Sequence, residues 1–271
     1  GARILQRLGR GAAIRQRTGG KGQAAPETGH ACARARELWE QLGFPAEYLH
    51  IPYGQSRYHV YRGELDLALR LDEDLLRVSR QRNDSRGLVL IHQSCGTGHM
   101  FRGRFGLSRS HLEAALSLYE PNVHHSPGSQ TGSHPQVVAQ GYLGIVFLCL
   151  GFPDQALARS NAAIAEAREL AHSPSLAPSL MICATLLSIV GDNGVLDDRV
   201  DDLVAVATEQ AFPQWRAFGT IYRGWVKAKN GDVGEGISLL RSGSAAYRAT
   251  GAELLMPHHT ALLARACQRA N

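Results

Sequence analysis

The 271-residue chain has no run of about 18 uninterrupted apolar residues, the length a helix needs to cross a bilayer. No membrane span is therefore expected. Its five cysteines, Cys32, Cys95, Cys149, Cys183 and Cys267, form no CxxC pair. An odd, scattered set in mostly apolar settings reads as reduced thiols in a cytoplasmic protein, with Cys149 and Cys183 in the core. No GxxxxGK[ST] loop occurs. The glycine-rich stretch CGTGHMFRGRFG (95–106) lacks the strand before it and the Lys-Ser/Thr after it that a phosphate cradle needs. It reads instead as close helix packing and a turn. There is no nucleophile elbow and no Ser-His-Asp arrangement legible in the sequence, so neither a catalytic centre nor a cofactor is expected. The start, GARILQRLGRGAAIRQRTGG, lacks the apolar block of a signal peptide.

The net charge of +5 suggests nucleic acid until its distribution is read. Of 29 basic and 24 acidic residues, six and one lie in residues 1–30, so the remainder is balanced. Nucleic-acid binding needs basic groups gathered on a folded face. Here they sit on a glycine-rich stretch, residues 1–26, expected to be a poorly packed tail. No nucleic-acid partner is expected.

What the chain does have is a period. Apolar helical runs end at Gly63, Gly103, Gly151, Gly191 and Gly231, spaced by about 40 residues, with one gap of about 48. Glycine suits the left-handed conformation that commonly closes a helix. Asp154, Asp192 and Asp232 are placed to cap the helices that follow. Pro52, Pro135, Pro174, Pro213 and Pro257 precede the other run of each unit, as proline does in a first helical turn. The second unit has NDSRG (83–87) there instead. Small residues recur before each turn (Ser56, Cys95, Gly144, Ala184, Gly224) and five positions after it (Ala68, Ser108, Ala156, Gly236). Leu196 breaks that pattern, so the fourth unit is expected to pack more loosely. GLVLIH (87–92), although β-branched, falls where a helix belongs. The reading is an all-α solenoid of antiparallel helix pairs, of about five units over residues 27–271 and incomplete at the C-terminus.

The third unit, GYLGIVFLCLGFPDQALARSNAAI, is similar to a tetratricopeptide repeat, with Leu143, Gly144, Phe147, Gly151, Ala156 and Ala163 at the motif's positions. This implies a right-handed α-solenoid. Five stretches, ACARARELWEQLG, GELDLALRLDEDLL, LGFPDQALARSNAAIAEARELAH, LVAVATEQAFPQWRAFGTIYRGW and LLRSGSAAYRATGAEL, resemble the helical-repeat C-terminal region of bacterial signalling proteins. Those proteins join a class III adenylate/guanylate cyclase domain to an AAA-type ATPase domain. The resemblance implies a regulatory arm whose partner is the ATPase or cyclase domain of its own family. Neither domain's motifs are present in this chain.

Three histidines, His124, His125 and His134, lie in the long insertion, but no carboxylate or thiolate stands near to complete a metal site. His258 and His259 are adjacent on a helix and point apart, so they would not chelate together. Arg216, Tyr222 and Arg223 fall in an aromatic-rich run, and Arg57 and Tyr61 in YGQSRYHVYRG. Arginine and aromatic residues dominate binding hot spots. These five are the candidate partner-binding residues. The reading is a non-catalytic protein-interaction module that takes a protein or peptide on its concave face. The uncapped last helix is a possible site of self-association. The alternatives are cyclase chemistry residing in absent domains and a small-ligand sensor.

Overall fold

The computed structural model describes residues 23–45, 48–121 and 132–270, and the regular structure of these is entirely helical. Helix α1 (Pro26–Gln41) is followed by five antiparallel pairs and a last helix. The pairs are α2 (His50–Tyr61) with α3 (Leu65–Gln81), α4 (Ser85–Phe101) with α5 (Phe105–Ser117), and α6 (Pro135–Cys149) with α7 (Pro153–Glu169). Then come α8 (Ser173–Val190) with α9 (Asn193–Glu209), α10 (Pro213–Lys229) with α11 (Val233–Ala249), and α12 (Met256–Arg269). GLVLIH lies within α4, and residues 1–22, His124 and His125 lie outside the described residues.

The five turn glycines all adopt positive φ, between 70° and 102°. Asp84 and Asp192 cap α4 and α9, accepting from the N–H groups of Gly87 and Val195. Asp154 and Asp232 do not cap: Asp154 sits inside the first turn of α7, and the carboxylate of Asp232 faces Lys227 instead. Small residues close each pair. A Cβ on Gly224 would stand 2.7 Å from both Gly236 O and Leu240 N, and one on Gly144 would stand 2.9 Å from Ala156 O. In the second pair the close approach belongs to Gly96, seven residues before its turn like the others, and not to Cys95. A Cβ there would meet Leu112 at 2.6 Å, and Ser108 Oγ donates to Gly96 O at 2.7 Å. In the fourth pair Leu196 is fully buried in the core cluster.

Helices α2, α4, α6, α8, α10 and α12 form the inner layer, and their partners the outer one. Inner helices are buried on most sides; α8 shields 13 of its 18 residues. By length and composition α8 could cross a membrane, yet 72% of it is buried among its neighbours. Ser, Thr and Pro interrupt its apolar residues, which is why no unbroken run marks it in the sequence. The superhelix winds tightly enough for its ends to meet. The backbone N–H groups of Glu253 and Leu254 donate to Tyr61 O at 2.9 and 3.0 Å, and the Tyr61 and Trp215 rings meet edge-on at 6.4 Å. Ala24 and Ala25, inside the stretch expected to be poorly packed, are buried, with Ala24 O against Gly251. Helix α12 lays Met256, His259, Leu262 and Ala266 inward and leaves Thr260, Ala261, Ala264, Arg265 and Gln268 exposed. The expected apolar free face is therefore absent from it. Cys149, expected in the core, is exposed at the end of α6, whereas Cys183 is buried.

Two histidines are held neutral by the fold. His259 has zero exposure, lies against the rings of Phe218, Tyr222 and Tyr247, and has no hydrogen-bond partner at either ring nitrogen. Burial, with His258 beside it, pushes its pKa down to about 3. His111 stacks at 5.0 and 5.4 Å from His92 and His99, and burial with these two neighbours lowers it to about 4.

Two outcomes are expected. In denaturant unfolding, Gly224→Ala costs about 1–3 kcal/mol, because backbone on the facing helix must shift. Ala171→Gly adds about 1 kcal/mol, because Ala171 is held at φ 47°, where a Cβ is penalised. As to pH, an unfolded chain protonates these histidines near 6.5 while the fold does not. Stability is therefore full above about 6.5 and falls as the pH drops toward 4 and 3. Asp72, pushed up to about 6 by burial, opposes part of this loss between about 4 and 6. Thermal unfolding at pH 7.5 and pH 5 should show a net loss on acidification, and His259→Leu should reduce it.

Candidate functional site

Three features of the surface and interior carry binding chemistry. The first is on the inner layer. Helix α2 places Tyr53, Arg57 and Tyr61 at successive i, i+4 positions, so all three share one face. Tyr142 reaches the same place from α6. The Arg57 guanidinium lies 5.1 Å from the centre of the Tyr61 ring. Burial works against its charge, but the surrounding phenols of Tyr53, Tyr61 and Tyr142, with a hydrogen bond to Tyr61, raise its pKa above the ordinary arginine value. Tyr142 is itself pushed well above the usual phenol range by burial. Arg57 is half-buried, and its Nη1 is sealed from solvent without a hydrogen-bond partner.

A row of polar side chains continues from there. Tyr53 OH faces Gln93 Oε1 at 3.4 Å, and Gln93 Nε2 donates to Thr97 Oγ1 at 2.9 Å. Behind Arg57, Asp72 of α3 is buried and accepts from Ser94 Oγ at 2.7 Å, while its Oδ1 has no partner. Burial pushes the Asp72 carboxyl up to about 6, against the hydrogen bonds of Ser94 and Ser56 and the charge of Arg57.

The second feature is a cleft of about 640 Å³ where the two ends of the superhelix meet, lined by Pro26, Arg216, Thr220, Arg248 and Gly251 among others. The third is an apolar edge. Leu107, Leu150, Phe152, Ile189, Val190 and Val195 are between 37% and 53% exposed, and all flank the three consecutive turns at Gly103, Gly151 and Gly191. Contacts between neighbouring pairs lie near these turns. Arg102 reaches Asp66 at 2.8 Å, Arg109 covers the Phe147 ring, and Lys229 approaches Gly191 O.

The five candidate residues are thus divided. Arg57 and Tyr61 are brought together. Arg216 is exposed in the end cleft. Arg223 is tied to Asp201 on the neighbouring outer helix. Tyr222 is not on a surface: it has zero exposure and its hydroxyl pairs with Thr185 Oγ1 at 2.6 Å, because its position on α10 faces α8. His134 is buried at the start of α6 beside Tyr119 and Ser175. Sequence reasoning missed the apolar edge. Its signal was Leu-Gly-Phe at 150–152 and Ile-Val-Gly at 189–191, large apolar residues beside turns where polar ones are usual.

No protein-family model and no curated protein matches the chain. Solved structures do. The chain is similar to a Rap protein complexed with Competence and Sporulation Factor, at 12% identity and TM-score 0.65 over 83% of this chain, and it spans 60% of that protein's length. It is similar to BtubC (BKLC) from P. vanneervenii, at 15% identity and TM-score 0.56, covering 90% of this chain and 92% of that one. A putative kinesin light chain with tetratricopeptide-like repeats from Podosopora anserina matches at 15% identity and TM-score 0.50, over 76% and 97%. At such identities the likeness is one of fold: the chain is a right-handed α-solenoid of tetratricopeptide-like helix pairs.

Proposed function

We propose that the chain is a non-catalytic interaction module that docks a protein partner on its apolar edge. The exposed strip along three consecutive turns carries this reading. Large apolar residues grouped on one edge of a folded protein mark interaction surfaces more often than chance. Stacked repeats supply such a surface because each pair adds one turn to the same side. The Rap structure, solved with Competence and Sporulation Factor, supports a binding role for this architecture. The resemblance of the repeats to the regulatory arm of cyclase–ATPase proteins points to one of those domains as the partner, in the cytoplasm of a bacterium.

Phe152→Glu and Ile189→Lys place charges on the strip at exposed positions, so thermal unfolding should change little. Purified ATPase and cyclase domains of such proteins are titrated against the wild type and the double variant by calorimetry. Binding that weakens at least tenfold in the variant supports the reading. Equal binding by both proteins, or no binding by the wild type, overturns it. Light scattering on the same samples tests whether the strip instead pairs two copies.

A further inference from the structure

We propose that the cleft between the two ends of the superhelix is a small-molecule site, separate from the apolar edge, and that it takes an organic monocarboxylate with an apolar body. The cleft is open, with a volume of about 640 Å³, and three helices build it: the start of α1, the first turns of α10 and the end of α11. Pockets for small organic ligands span about 300–1,000 Å³. The walls are short side chains. Ala25, Pro213, Ala217, Ala246, Ala249 and Gly251 leave the space that larger residues would fill. The backbone around it is held in place. Gly251 has φ 82°, and a Cβ there would collide with Ala24 O, so the turn after α11 sits directly on the residues that lead into α1.

The polar groups define the charge of the occupant. Arg216 is exposed on the wall, and among the described residues its side chain makes no ion pair and no hydrogen bond. Arg248 is already held by Glu253, Nε to Oε2 at 3.3 Å. One guanidinium is thus open, and its planar fork matches a carboxylate with two parallel hydrogen bonds. Thr220 Oγ1 donates to Arg216 O and Thr250 Oγ1 to Tyr247 O, so neither hydroxyl has a proton left for the ligand, and the carboxylate is directed to Arg216. Glu27 also lines the cleft and limits the negative charge it accepts. A phosphate monoester carries nearly two charges and is disfavoured beside that carboxylate. The position links occupancy to the closure. Glu253, which holds Arg248, also donates its N–H to Tyr61 O at 2.9 Å in the contact that joins the ends. A ligand that touches α1, α10 and α11 together binds only while they stay together, so it stabilises the closed form.

The probes are phenylacetate, its neutral amide, acetate and inorganic phosphate, each titrated into the purified full chain. Binding is read from the backbone amide signals and the Arg216 Nε signal by nuclear magnetic resonance, and from the thermal midpoint. Phenylacetate should shift Arg216, Ala217 and Gly251 together and raise the midpoint. Acetate, which lacks the apolar body, and the amide, which lacks the charge, should each bind at least tenfold more weakly. Arg216→Gln should lose at least tenfold in phenylacetate affinity. Ala246→Phe fills the cleft from an exposed position with Arg216 intact, and it should lose as much. Equal binding of the amide or of acetate, the same shifts from phosphate, undiminished binding by either variant, or no binding of phenylacetate by the wild type each overturns the proposal. If a variant does not fold by circular dichroism, comparison of the four probes on the wild type decides. Failure here leaves the apolar edge untouched, since none of its residues lines the cleft.

Discussion

The fold depends on a contact between residues nearly two hundred positions apart: Tyr61 O accepting from Glu253 and Leu254, with the Tyr61 ring against Trp215. An open solenoid touches only its neighbours and leaves the inner helices facing water. Here the ends close on each other, and the inner layer becomes a core. Within it α8 shields 13 of its 18 residues, and Phe218, Tyr222 and Trp225 of α10 are fully buried. The closure also shapes the loop that makes it. Leu255 adopts φ 65°, a conformation disfavoured for a residue of its size, and it does so within the segment that carries the two donors.

Once water is excluded from the inner layer, every polar group there must find a partner or remain expensive. Most do: Thr185 with Tyr222, Gln93 with Thr97, Ser94 with Asp72. Others have none, among them Asp72 Oδ1, Trp225 Nε1 and Tyr247 OH. His259 keeps both nitrogens unpaired and stays neutral, which is a cost to stability without a charge. Arg57 has no neutral form available, so its cost cannot be avoided by losing a proton. The two residues differ in kind: a histidine can be accommodated by titration, whereas an arginine keeps its charge.

Much of the fold was legible because its determinants are local. Turn glycines, capping Asp84 and Asp192, and the small residues at Gly144 and Gly224 each act within one helix pair, and the period exposes them. Cys95 was read in place of Gly96 because the second pair's glycines cluster, and only the approach of Leu112 separates them. The closure was not legible. Whether five pairs wind far enough to bring Tyr61 to Glu253 depends on a small rotation at each pair, summed along the chain, and no single residue encodes it. Tyr222 was misplaced for another reason: its hydroxyl pairs with Thr185 of the neighbouring α8, a partner that the spacing within α10 does not reveal. Cys149 failed for a smaller reason. It ends its helix, where the apolar face turns outward.

The same geometry separates the inner layer from the apolar edge. Closure joins residues of the inner layer, Tyr61 and Trp215, to the segment of Glu253 and Leu254. The turns at Gly103, Gly151 and Gly191 take no part in the closing contact. A partner on the edge would contact turns whose spacing is set by helix-pair packing alone. On the inner layer Arg57 lies over the ring of Tyr61, whose carbonyl and ring hold the two ends together. The inner layer is therefore tied to the closure through Tyr61, while a partner on the edge depends only on the pairs on which Leu150, Phe152, Ile189 and Val190 stand.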